Sequence, residues 1–437
     1  MENLSESPLE DLDGVAYLEG LPNWSGVGRF DLDNISRVLA YLGNPQDIPY
    51  SVHIAGTNGK GSVATAVAQI LHFSGFTVGL LTSPHLNRVN ERIKINGHDI
   101  GDIYLSECIL KVRDGADALG VNLSKHEVIT AASFVACKNL EWIVVEVGLG
   151  GRLDASNTLK APKASVIVTI DYDHEAILGD SLEKIAKEKA AIIKNGQRVV
   201  LGAMDQEARD AILAVADKRN ASVACLGVDF NYERGATGQV HFFDSSNREM
   251  TFNPSLKGEH QAHNMSVAAA VALSLGANVD ECSFAIESCK VPCRLEKIVM
   301  GDSLAILDSA HNPAGVKTLI SFLESEYIDK ANIVFGVFAD KNWQAMLDLL
   351  MPYIVKWNIV EVNSERSLKG ECIADYLKTN DVLEYCVFES YEEALLDGLS
   401  AGGNLVVAGS MALVGKARES LLMFGGVPEG ASYGGVY

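Results

Sequence analysis

The sequence predicts an α/β fold with two domains, each built around a mainly parallel sheet. Strand-like apolar runs alternate with helical patterns along most of the chain, and this alternation is typical of βα units. The alternation is interrupted at 228–257 and starts again near Pro292, which indicates two sheets rather than one. The length of 437 residues allows roughly two or three domains, with enough chain for a large core.

The first domain is predicted to open with a helical lead-in, because apolar residues recur at helical spacing between Phe30 and Leu42. Strands are expected at 51–55, 77–82, 141–147 and 164–170, with a small hairpin at 91–97. Helices are expected at 63–71, 102–119, 127–139, 181–194 and 261–275. After a strand–helix–strand unit that ends near 227, the residues 228–257 predict an antiparallel edge.

The second domain shows the same alternation of strands and helices. Its strands are expected at 304–309, 332–337, 354–362, 384–388 and 404–409. We place the domain boundary between 295 and 296, so that the two domains are 1–295 and 296–437. The tail, 424–437, is expected to have no regular structure.

The composition is that of an ordinary globular protein, with 48% hydrophobic and 21% charged residues. A net charge of −21 argues against nucleic acid as a partner, because neutralising phosphates needs clustered Lys and Arg. The N-terminus lacks the basic and apolar regions of a signal peptide, and no apolar run has the length of a membrane span. We therefore expect a cytoplasmic protein whose eight cysteines are reduced and bind no metal.

One stretch carries the first functional signal, a glycine-rich turn between an apolar strand and a helix. Backbone N–H groups at a helix start bind anions, and glycines let the backbone come close to a phosphate. The lysine would contact the β- and γ-phosphates, and the serine hydroxyl could reach Mg²⁺. The spacing departs from the common phosphate-loop pattern, but its place before a helix favours phosphate binding over an ordinary turn. The predicted phosphate loop consists of Gly56, Thr57, Asn58, Gly59, Lys60, Gly61 and Ser62.

Polar side chains also follow the other predicted strands of the first domain. Ser83 and His85 come after the second strand, Glu146 ends the third, and Asp173 and His174 come after the fourth. Ligands gather at the carboxyl ends of the strands in an open α/β sheet. A carboxylate, a hydroxyl and an imidazole beside nucleotide phosphates predict a Mg²⁺ site.

The helix at 181–194 contains several lysines, which are most simply a solvated face. Lys189, next to an apolar run, is the one that could face inward. The composition of the helix leaves open whether it does, or whether it lies in solvent with Lys184 and Lys187.

A set of motifs, spread over nearly the whole chain, resembles the conserved motifs of one enzyme family. The motifs are HIAGTNGKGS (53–62), LTSPHLNRVNERIKING (81–97), EVGLGGRLDASN (146–157), DHEAILGDSLEKIAKEKAAIIK (173–194), KGEHQAHN (257–264), DSAHNPAG (308–315), Asp340-Lys341 and GSMALVG (409–415). In this order they resemble the folylpolyglutamate synthase/dihydrofolate synthase family, the folate branch of the Mur ligase superfamily. The GKGS ending of the first motif resembles this branch more than the peptidoglycan ligases.

The resemblance implies an N-terminal P-loop ATPase domain and a C-terminal Rossmann-like α/β domain. It implies an ATP-dependent ligation with Mg²⁺, in which a carboxylate of a folate or dihydropteroate becomes an acyl phosphate. The amino group of L-glutamate then displaces phosphate. The implied partners are these small molecules, with no nucleic acid and no membrane, and the chain is expected to act as a monomer.

The resemblance also implies roles for individual residues. Lys60, Lys189 and His174 fall at catalytic positions, and Lys189 at the lysine that family members carbamylate to make a metal-binding anion. The implied metal ligands are Ser83, Glu146, His174 and Lys189. The implied nucleotide contacts beyond the phosphate loop are Asn264, Arg294, Asp308 and His311, the last two across the domain cleft.

Three positions depart from the family pattern, and two other functions stay open. Cys293 stands where the family has Gly before Arg294, Ala191 replaces a Gly, and His126-Glu127 replaces a Phe-Glu pair near the folate pocket. A Mur-type ligase that acts on another acid, such as a peptidoglycan precursor, is one alternative. A nucleotide-hydrolysing switch that performs no ligation is the other.

Overall fold

The computed structural model describes residues 13–22 and 31–429, which form two compact units. The first contains Arg88–Pro254 and His263–Cys289, with the described residues up to Pro84. The second contains His85–Asn87, Ser255–Ala262 and the described residues from Lys290 onwards. Some predictions fall on residues outside the described ranges. They concern the first residues of the chain, Phe30 of the helical lead-in and the last residues of the tail. The division at 295/296 stays a prediction.

The first unit contains a sheet of eight strands in the order β4-β3-β2-β5-β1-β6-β7-β8. The six strands from β2 to β8 in that order are parallel, and β3 and β4 form the predicted hairpin at the edge. In chain order the strands are β1 (Tyr50–Ala55), β2 (Val78–Leu81), β3 (Ile93–Ile95), β4 (His98–Asp99), β5 (Trp142–Glu146), β6 (Ala164–Ile167), β7 (Arg198–Leu201) and β8 (Ser222–Cys225).

The central strands β1, β5 and β6 are buried nearly throughout, as expected for parallel strands that are covered on both faces. Their registers are closely matched, because Ile54 is opposite Glu146 and Ala55 is opposite Ile167. The loops that follow these strands therefore leave the sheet at the same edge. This edge carries the predicted phosphate loop, Glu146, and the loop with Asp173 and His174.

The helices of the first unit agree with most of the predicted positions. They are α1 (Asp13–Gly20), α2 (Asp33–Tyr41), α3 (Lys60–Phe73), α4 (Asp102–Leu119), α5 (Lys125–Cys137), α6 (Glu175–Leu178), α7 (Leu182–Ala190), α8 (Gln206–Lys218), α9 (Glu259–Ser274), which starts in the second unit, and α10 (Val279–Ser288). Ser124 and Glu127 form a capping box that starts α5, which satisfies two of its free N–H groups. Helices α6 and α10 were not among the predictions, whereas α1 and α2 lie in the predicted helical lead-in.

Two predictions for the first unit are wrong. Helix α7 ends at Ala190 rather than at 194, because the carbonyl of Glu188 accepts a hydrogen bond from the distant N–H of Arg152 (3.0 Å) instead of continuing the helix. The residues 228–257 form a separate three-stranded antiparallel sheet, not an edge of the main one. Its strands are β9 (Phe230–Arg234), β10 (Val240–Asp244) and β11 (Glu249–Phe252). A turn at Gly227 (φ +82°) reverses the chain directly after β8.

The second unit contains a seven-stranded sheet in the order β16-β15-β14-β17-β13-β12-β18. The five strands from β16 to β13 are parallel, whereas β12 and β18 are antiparallel. The strands are β12 (Glu296–Met300), β13 (Ser303–Leu307), β14 (Ala331–Phe335), β15 (Ile354–Val360), β16 (Tyr385–Phe388), β17 (Leu405–Ala408) and β18 (Val427–Pro428). The helices are α11 (Pro313–Ser325), α12 (Trp343–Leu350), α13 (Gly370–Thr379), α14 (Tyr391–Ser400) and α15 (Met411–Met423).

The five parallel strands of the second unit confirm the predicted pattern, and the antiparallel pair completes it. Strand β18 lies in the tail that was expected to be irregular, and it pairs Val427 with Val299 of β12. The prediction failed there because two residues carry no periodic signal. The mainly parallel α/β architecture of both units agrees with the predicted fold class.

The eight cysteines are all free thiols, and six of them are buried. Within the part of the chain that the structure describes, no helix combines the length and apolar character that a membrane crossing needs.

Candidate active site

The phosphate loop connects the end of β1 to the start of α3, and it is hydrogen-bonded to the segment that follows β6. The N–H of Thr57 donates to the carbonyl of Thr169 (2.8 Å), and the N–H of Asn58 donates to the hydroxyl of Thr169 (3.0 Å). The hydroxyl of Thr57 donates to the carbonyl of Asp171 and accepts from the N–H of Asp171. The loop is therefore held by hydrogen bonds to the segment that follows β6.

Gly59 takes a left-handed conformation (φ +83°) at the residue before α3. A Cβ atom at this position would lie only 2.5 Å from Oδ1 of Asn264, a buried residue of α9. Both the φ angle and the close approach require glycine. Asn264, which was predicted to contact the nucleotide, therefore lies directly against the loop.

Lys60 is the first residue of α3, three residues before the predicted start. Its Nζ donates to the carbonyls of Gly56 and Thr57, both at 3.1 Å. Ser62 is buried in the first turn, which contains no acidic residue. The start of a 14-residue helix carries partial positive charge, and Lys60 adds a full one, so the loop fits a phosphate group.

Glu146 ends β5 and is only 6% exposed. Its Oε2 accepts a hydrogen bond from the N–H of Ser83 (2.9 Å). A Cβ on Gly61 would lie 3.5 Å from the same oxygen, so the carboxylate faces the first turn of α3. The site thus brings Glu146 and Ser83 together beside the phosphate loop.

Glu146→Gln is expected to weaken the Mg²⁺ dependence of turnover. The amide keeps the shape but removes the negative charge that binds a hard cation. We expect the Mg²⁺ concentration for half-maximal rate to rise about 10- to 100-fold. A titration of the rate with Mg²⁺ measures this, with Glu233→Gln on the exposed face of β9 as the control. An unchanged titration curve would remove Glu146 from the metal site.

Lys189 is the residue whose position the sequence left open, and the structure buries it. It is 5% exposed, whereas Lys184 and Lys187 of the same helix lie in solvent and pair with Asp180 and Glu183. Burial, and after it the charge of Lys60, lower the pKa of Lys189 to about 7, although the charge of Asp173 opposes them. The solvated alternative is therefore wrong, and Lys189 lies within electrostatic reach of Lys60.

His174 follows Asp173 in the loop after β6. It has a left-handed backbone (φ +52°) and precedes α6. Its N–H donates to Oδ1 of Asp173 (2.9 Å), and its Nε2 lies 3.8 Å from the same oxygen. The two side chains thus form one polar group, and the charge of Asp173 acts on Lys189.

The residue types fit a divalent metal, although the ligand set is unusual. Among residues 13–22 and 31–429, no group of three or more His, Cys, Asp and Glu side chains is arranged to hold a metal. Glu146 and His174 are the ligands of these types in the predicted set. The hydroxyl of Ser83, and Lys189 if it were carbamylated, would have to supply further oxygen atoms. Hard cations such as Mg²⁺ take oxygen ligands and keep several waters, so a partial protein shell suits them.

A glycine-rich turn connects Glu146 to a buried polar chain. The carboxylate of Asp154 accepts from the N–H groups of Gly148 and Leu149 (3.1 and 3.0 Å) and from the N–H of Ser156. Burial by itself would raise the pKa of Asp154, but these bonds and the charge of His126 hold it well below its ordinary value. Asp154 therefore stays ionised and fixes the turn.

His126, one of the departures from the family pattern, contacts this carboxylate. Its Nε2 lies 3.1 Å from Oδ2 of Asp154. Burial lowers the pKa of His126, yet the carboxylate outweighs burial and raises the pKa above its ordinary value. A Phe at this position could not make the ion pair, so the replacement changes the polarity of the region around the turn.

The predicted site residues of the second unit lie in the segments that precede β12 and α11. The carboxylate of Asp308 accepts from the N–H groups of Leu295 and Ala310, both at 2.9 Å. Burial raises its pKa, although the guanidinium of Arg294 opposes this. Arg294 donates to the hydroxyl of Ser309, and Nδ1 of His311 lies 2.9 Å from the carbonyl of Ser309. The three predicted residues of this unit thus meet in one local network.

Cys293 shows why a glycine is usual before Arg294. Its φ angle is +58°, which costs an L-residue about 1–2 kcal/mol. Its side chain is fully buried, with Sγ 3.8 Å from the carbonyl of Val414. Its N–H donates to Glu296 (2.9 Å), which Arg418 holds through both carboxylate oxygens.

Replacing Cys293 is expected to reverse the usual order of stability between alanine and glycine variants. Cys293→Ala loses the sulfur contact and keeps the strain. Cys293→Gly loses the same contact but relieves the strain. We expect the glycine variant to be at least as stable as the alanine variant, whereas glycine elsewhere is commonly about 0.5–1 kcal/mol worse. Urea unfolding midpoints measure the order, and a clearly less stable glycine variant would contradict the account.

Two charged residues near the site were not assigned from the sequence. Burial lowers the pKa of Arg92, and the first charge that opposes this is that of Glu146. Asp173 was noted at a strand end but was given no role, although its charge acts on Lys189. Arg92 directly precedes β3 and lies in the motif LTSPHLNRVNERIKING (81–97). The sequence shows it only as a charged residue beside an apolar hairpin, which does not indicate a functional role.

Comparison with protein families matches both parts of the chain. The Mur ligase middle domain matches residues 54–272. The glutamate ligase domain of the Mur ligases matches residues 293–411.

Individual proteins are similar over nearly the whole length. Folylpolyglutamate synthase of Lacticaseibacillus casei is 31% identical, over 93% of this chain and 98% of that protein. The structure of E. coli FolC in complex with DHPP and ADP is 26% identical with a TM-score of 0.85, and 97% of this chain and 99% of that one are covered. A bifunctional folylpolyglutamate synthase/dihydrofolate synthase with Mn, AMPPNP and L-glutamate bound is 25% identical with a TM-score of 0.82, and 93% and 97% of the two chains are covered. The chain therefore belongs to the folylpolyglutamate synthase/dihydrofolate synthase family of ATP-dependent ligases, the folate branch of the Mur ligases.

Proposed function

We propose that this enzyme joins the amino group of L-glutamate to a carboxylate of a folate or a dihydropteroate, with cleavage of ATP to ADP and phosphate. The observation that carries the proposal is the position of Lys60 and Glu146 at one phosphate loop, with buried Lys189 close enough for the charge of Lys60 to lower its pKa. The bound DHPP, ADP, AMPPNP and L-glutamate of the similar structures support the substrate classes.

The phosphate loop would hold the β- and γ-phosphates through its N–H groups and through Nζ of Lys60. In the structure this Nζ donates to two carbonyls of the loop itself, so it already lies beside the proposed position of the phosphates. Asn264, which lies against Gly59, would orient the nucleotide beside the loop. The alignment of the γ-phosphate with the acid substrate would then favour transfer.

Glu146, Ser83, His174 and Lys189 would hold Mg²⁺ beside the loop. Mg²⁺ held there would neutralise phosphate charge while the γ-phosphoryl group moves from ATP to the acid substrate, which gives ADP and an acyl phosphate. Glu146 supplies a negative charge whose orientation is fixed by the N–H of Ser83. The amino group of L-glutamate would then attack the acyl carbon and release phosphate.

Lys189 would enter this set as a carbamate. Its low pKa leaves a neutral amine at physiological pH, and a neutral amine adds CO₂ with release of one proton. The product carries a negative charge on oxygen in place of a positive charge on nitrogen. That change also removes the repulsion between Lys189 and Lys60.

Arg294, Asp308 and His311 would contact the nucleotide from the C-terminal domain, for which we propose the residues 296–437 with Arg294 at its border. His126 would influence which acid is accepted, since it adds a polar group at a family position occupied by Phe. We propose further that the chain acts as a monomer in the cytoplasm, and sedimentation at the concentration of the assay tests the monomer.

Phosphate release tests the proposed function against its two alternatives. The enzyme is assayed with ATP and Mg²⁺, with and without L-glutamate, and with dihydropteroate, tetrahydrofolate or a muramyl peptide. We expect phosphate only when L-glutamate is present together with dihydropteroate or tetrahydrofolate. If phosphate is released with the muramyl peptide but with neither folate compound, the result would favour a Mur-type ligase that acts on another acid. Steady release without any acid or amino acid would favour the nucleotide switch.

A further inference from the structure

The amino ends of strands β6, β7 and β8 form a cavity of about 700 Å³. Its walls are the chain segments 160–163, 194–198 and 219–222, which all belong to the first unit. The phosphate loop follows the carboxyl end of β1 in the same sheet, so the cavity lies at the opposite edge. It is therefore separate from the candidate active site.

The walls of this cavity are strongly basic. None of the described residues that line it is Asp or Glu. In a chain with a net charge of −21, a group of cations without a carboxylate among them is unusual. The cationic side chains are Lys160, Lys163, Lys194, Arg198 and Arg219; we call this the basic cavity.

Neighbouring groups compensate these charges only in part. The Nζ of Lys160 lies 3.5 Å from Oδ2 of Asp47, and such an exposed ion pair contributes little to stability. Lys163 lies over the ring of Tyr50, and Lys194 donates to the carbonyl and side chain of Asn157. Within residues 13–22 and 31–429, the other four cations form no ion pair. Burial and then the charge of Arg219 lower the pKa of Lys194, as expected when like charges are held close.

The fold holds the walls together in spite of this repulsion. Gln197, 5% exposed, donates to the carbonyl of Pro162 (3.0 Å) and accepts from the N–H of Lys194 (2.8 Å). The N–H of Gly196 donates to the carbonyl of Arg219 (2.8 Å), and the N–H of Ser222 donates to that of Gln197 (2.9 Å). All three wall segments are thus tied to Gln197 or its loop, which fixes the cations around one space.

We propose that the basic cavity binds a small anion that carries two or more phosphate or carboxylate groups. Its volume lies within the range of roughly 300–1,000 Å³ that is typical of small-molecule sites. Arg198 and Arg219 can bind such groups through two parallel hydrogen bonds. The compact arrangement differs from the extended stripe of cations that nucleic acid requires. The site lies beyond the proposed function and does not depend on it.

The test is calorimetric titration of the whole protein with pyrophosphate, in the presence of saturating ADP to occupy the phosphate loop. The variant is Arg198→Ala/Arg219→Ala, whose side chains are both exposed, so the fold is not at risk. The matched control is Lys111→Ala/Arg113→Ala on α4, which removes the same charge elsewhere in the first unit. Citrate replaces pyrophosphate in a parallel arm, and a short RNA in another.

We expect one pyrophosphate per chain, with binding at least about 10-fold weaker in the Arg198→Ala/Arg219→Ala variant and unchanged in the control. If citrate binds as well as pyrophosphate, the cavity recognises anionic charge alone. If pyrophosphate binds and citrate does not, the ligand is a phosphate compound. No binding to the wild-type protein, or equal loss in both variants, would overturn the proposal. Binding of RNA but not of pyrophosphate would overturn it as well.

Discussion

Lys60→Ala is expected to lower kcat by about 10²–10³-fold or more while the protein remains folded. Lys60 supplies the only full positive charge of the phosphate loop, and its Nζ already lies among the loop carbonyls. Without it, the charge that develops on the phosphates during transfer loses a partner that no backbone N–H replaces. The rate of ADP formation with both substrates present measures the effect.

The stability of this variant separates a functional role from a structural one. Two hydrogen bonds to carbonyls are lost, at a cost of about 1 kcal/mol each. The circular dichroism spectrum should therefore stay unchanged. Lys111→Ala on the exposed face of α4 is the control for loss of one charge. A melted Lys60→Ala protein would make Lys60 a structural residue.

Lys189→Ala is expected to lower ligation by at least about 100-fold, with partial recovery when acetate is added. The variant removes the side chain that would become the carbamate. A small carboxylate can enter the space left and offer the same oxygen atoms to the metal. The recovery should rise with acetate concentration and then level off.

Lys187→Ala is the control for this experiment, because it lies on the same helix but in solvent and pairs with Glu183. It should keep the wild-type rate with or without acetate. Wild-type rates in Lys189→Ala without acetate would disprove the carbamate. Loss of activity that no concentration of acetate restores would leave Lys189 needed as an amine and would also contradict the carbamate.

The sequence predicted the features whose causes are local. The phosphate loop could be predicted because glycines and a lysine stand between an apolar strand and a helix. The parallel strands of both sheets were predicted because buried parallel strands are continuous apolar runs. The placement of Glu146 beside the loop followed from the rule that parallel strands end at one edge.

The features that the sequence did not predict depend on distant partners. Helix α7 stops early because the N–H of Arg152 takes the carbonyl of Glu188. The two residues of β18 form a strand because they pair with β12, which is distant in the sequence. The direction of Lys189 could not be read from a helix rich in lysine, since only the surrounding fold decides which side is covered. The strain at Cys293 is likewise set by its φ angle, which no residue pattern reports.

The central claim is that the acid substrate is activated by phosphorylation before L-glutamate attacks. It is tested most directly by labelling the carboxylate of the acid substrate with oxygen-18 and analysing the released phosphate by mass spectrometry. We expect each phosphate formed during ligation to carry one labelled oxygen, because the acyl phosphate breaks between carbon and oxygen. Unlabelled phosphate, released at the same rate as the ligated product, would contradict it.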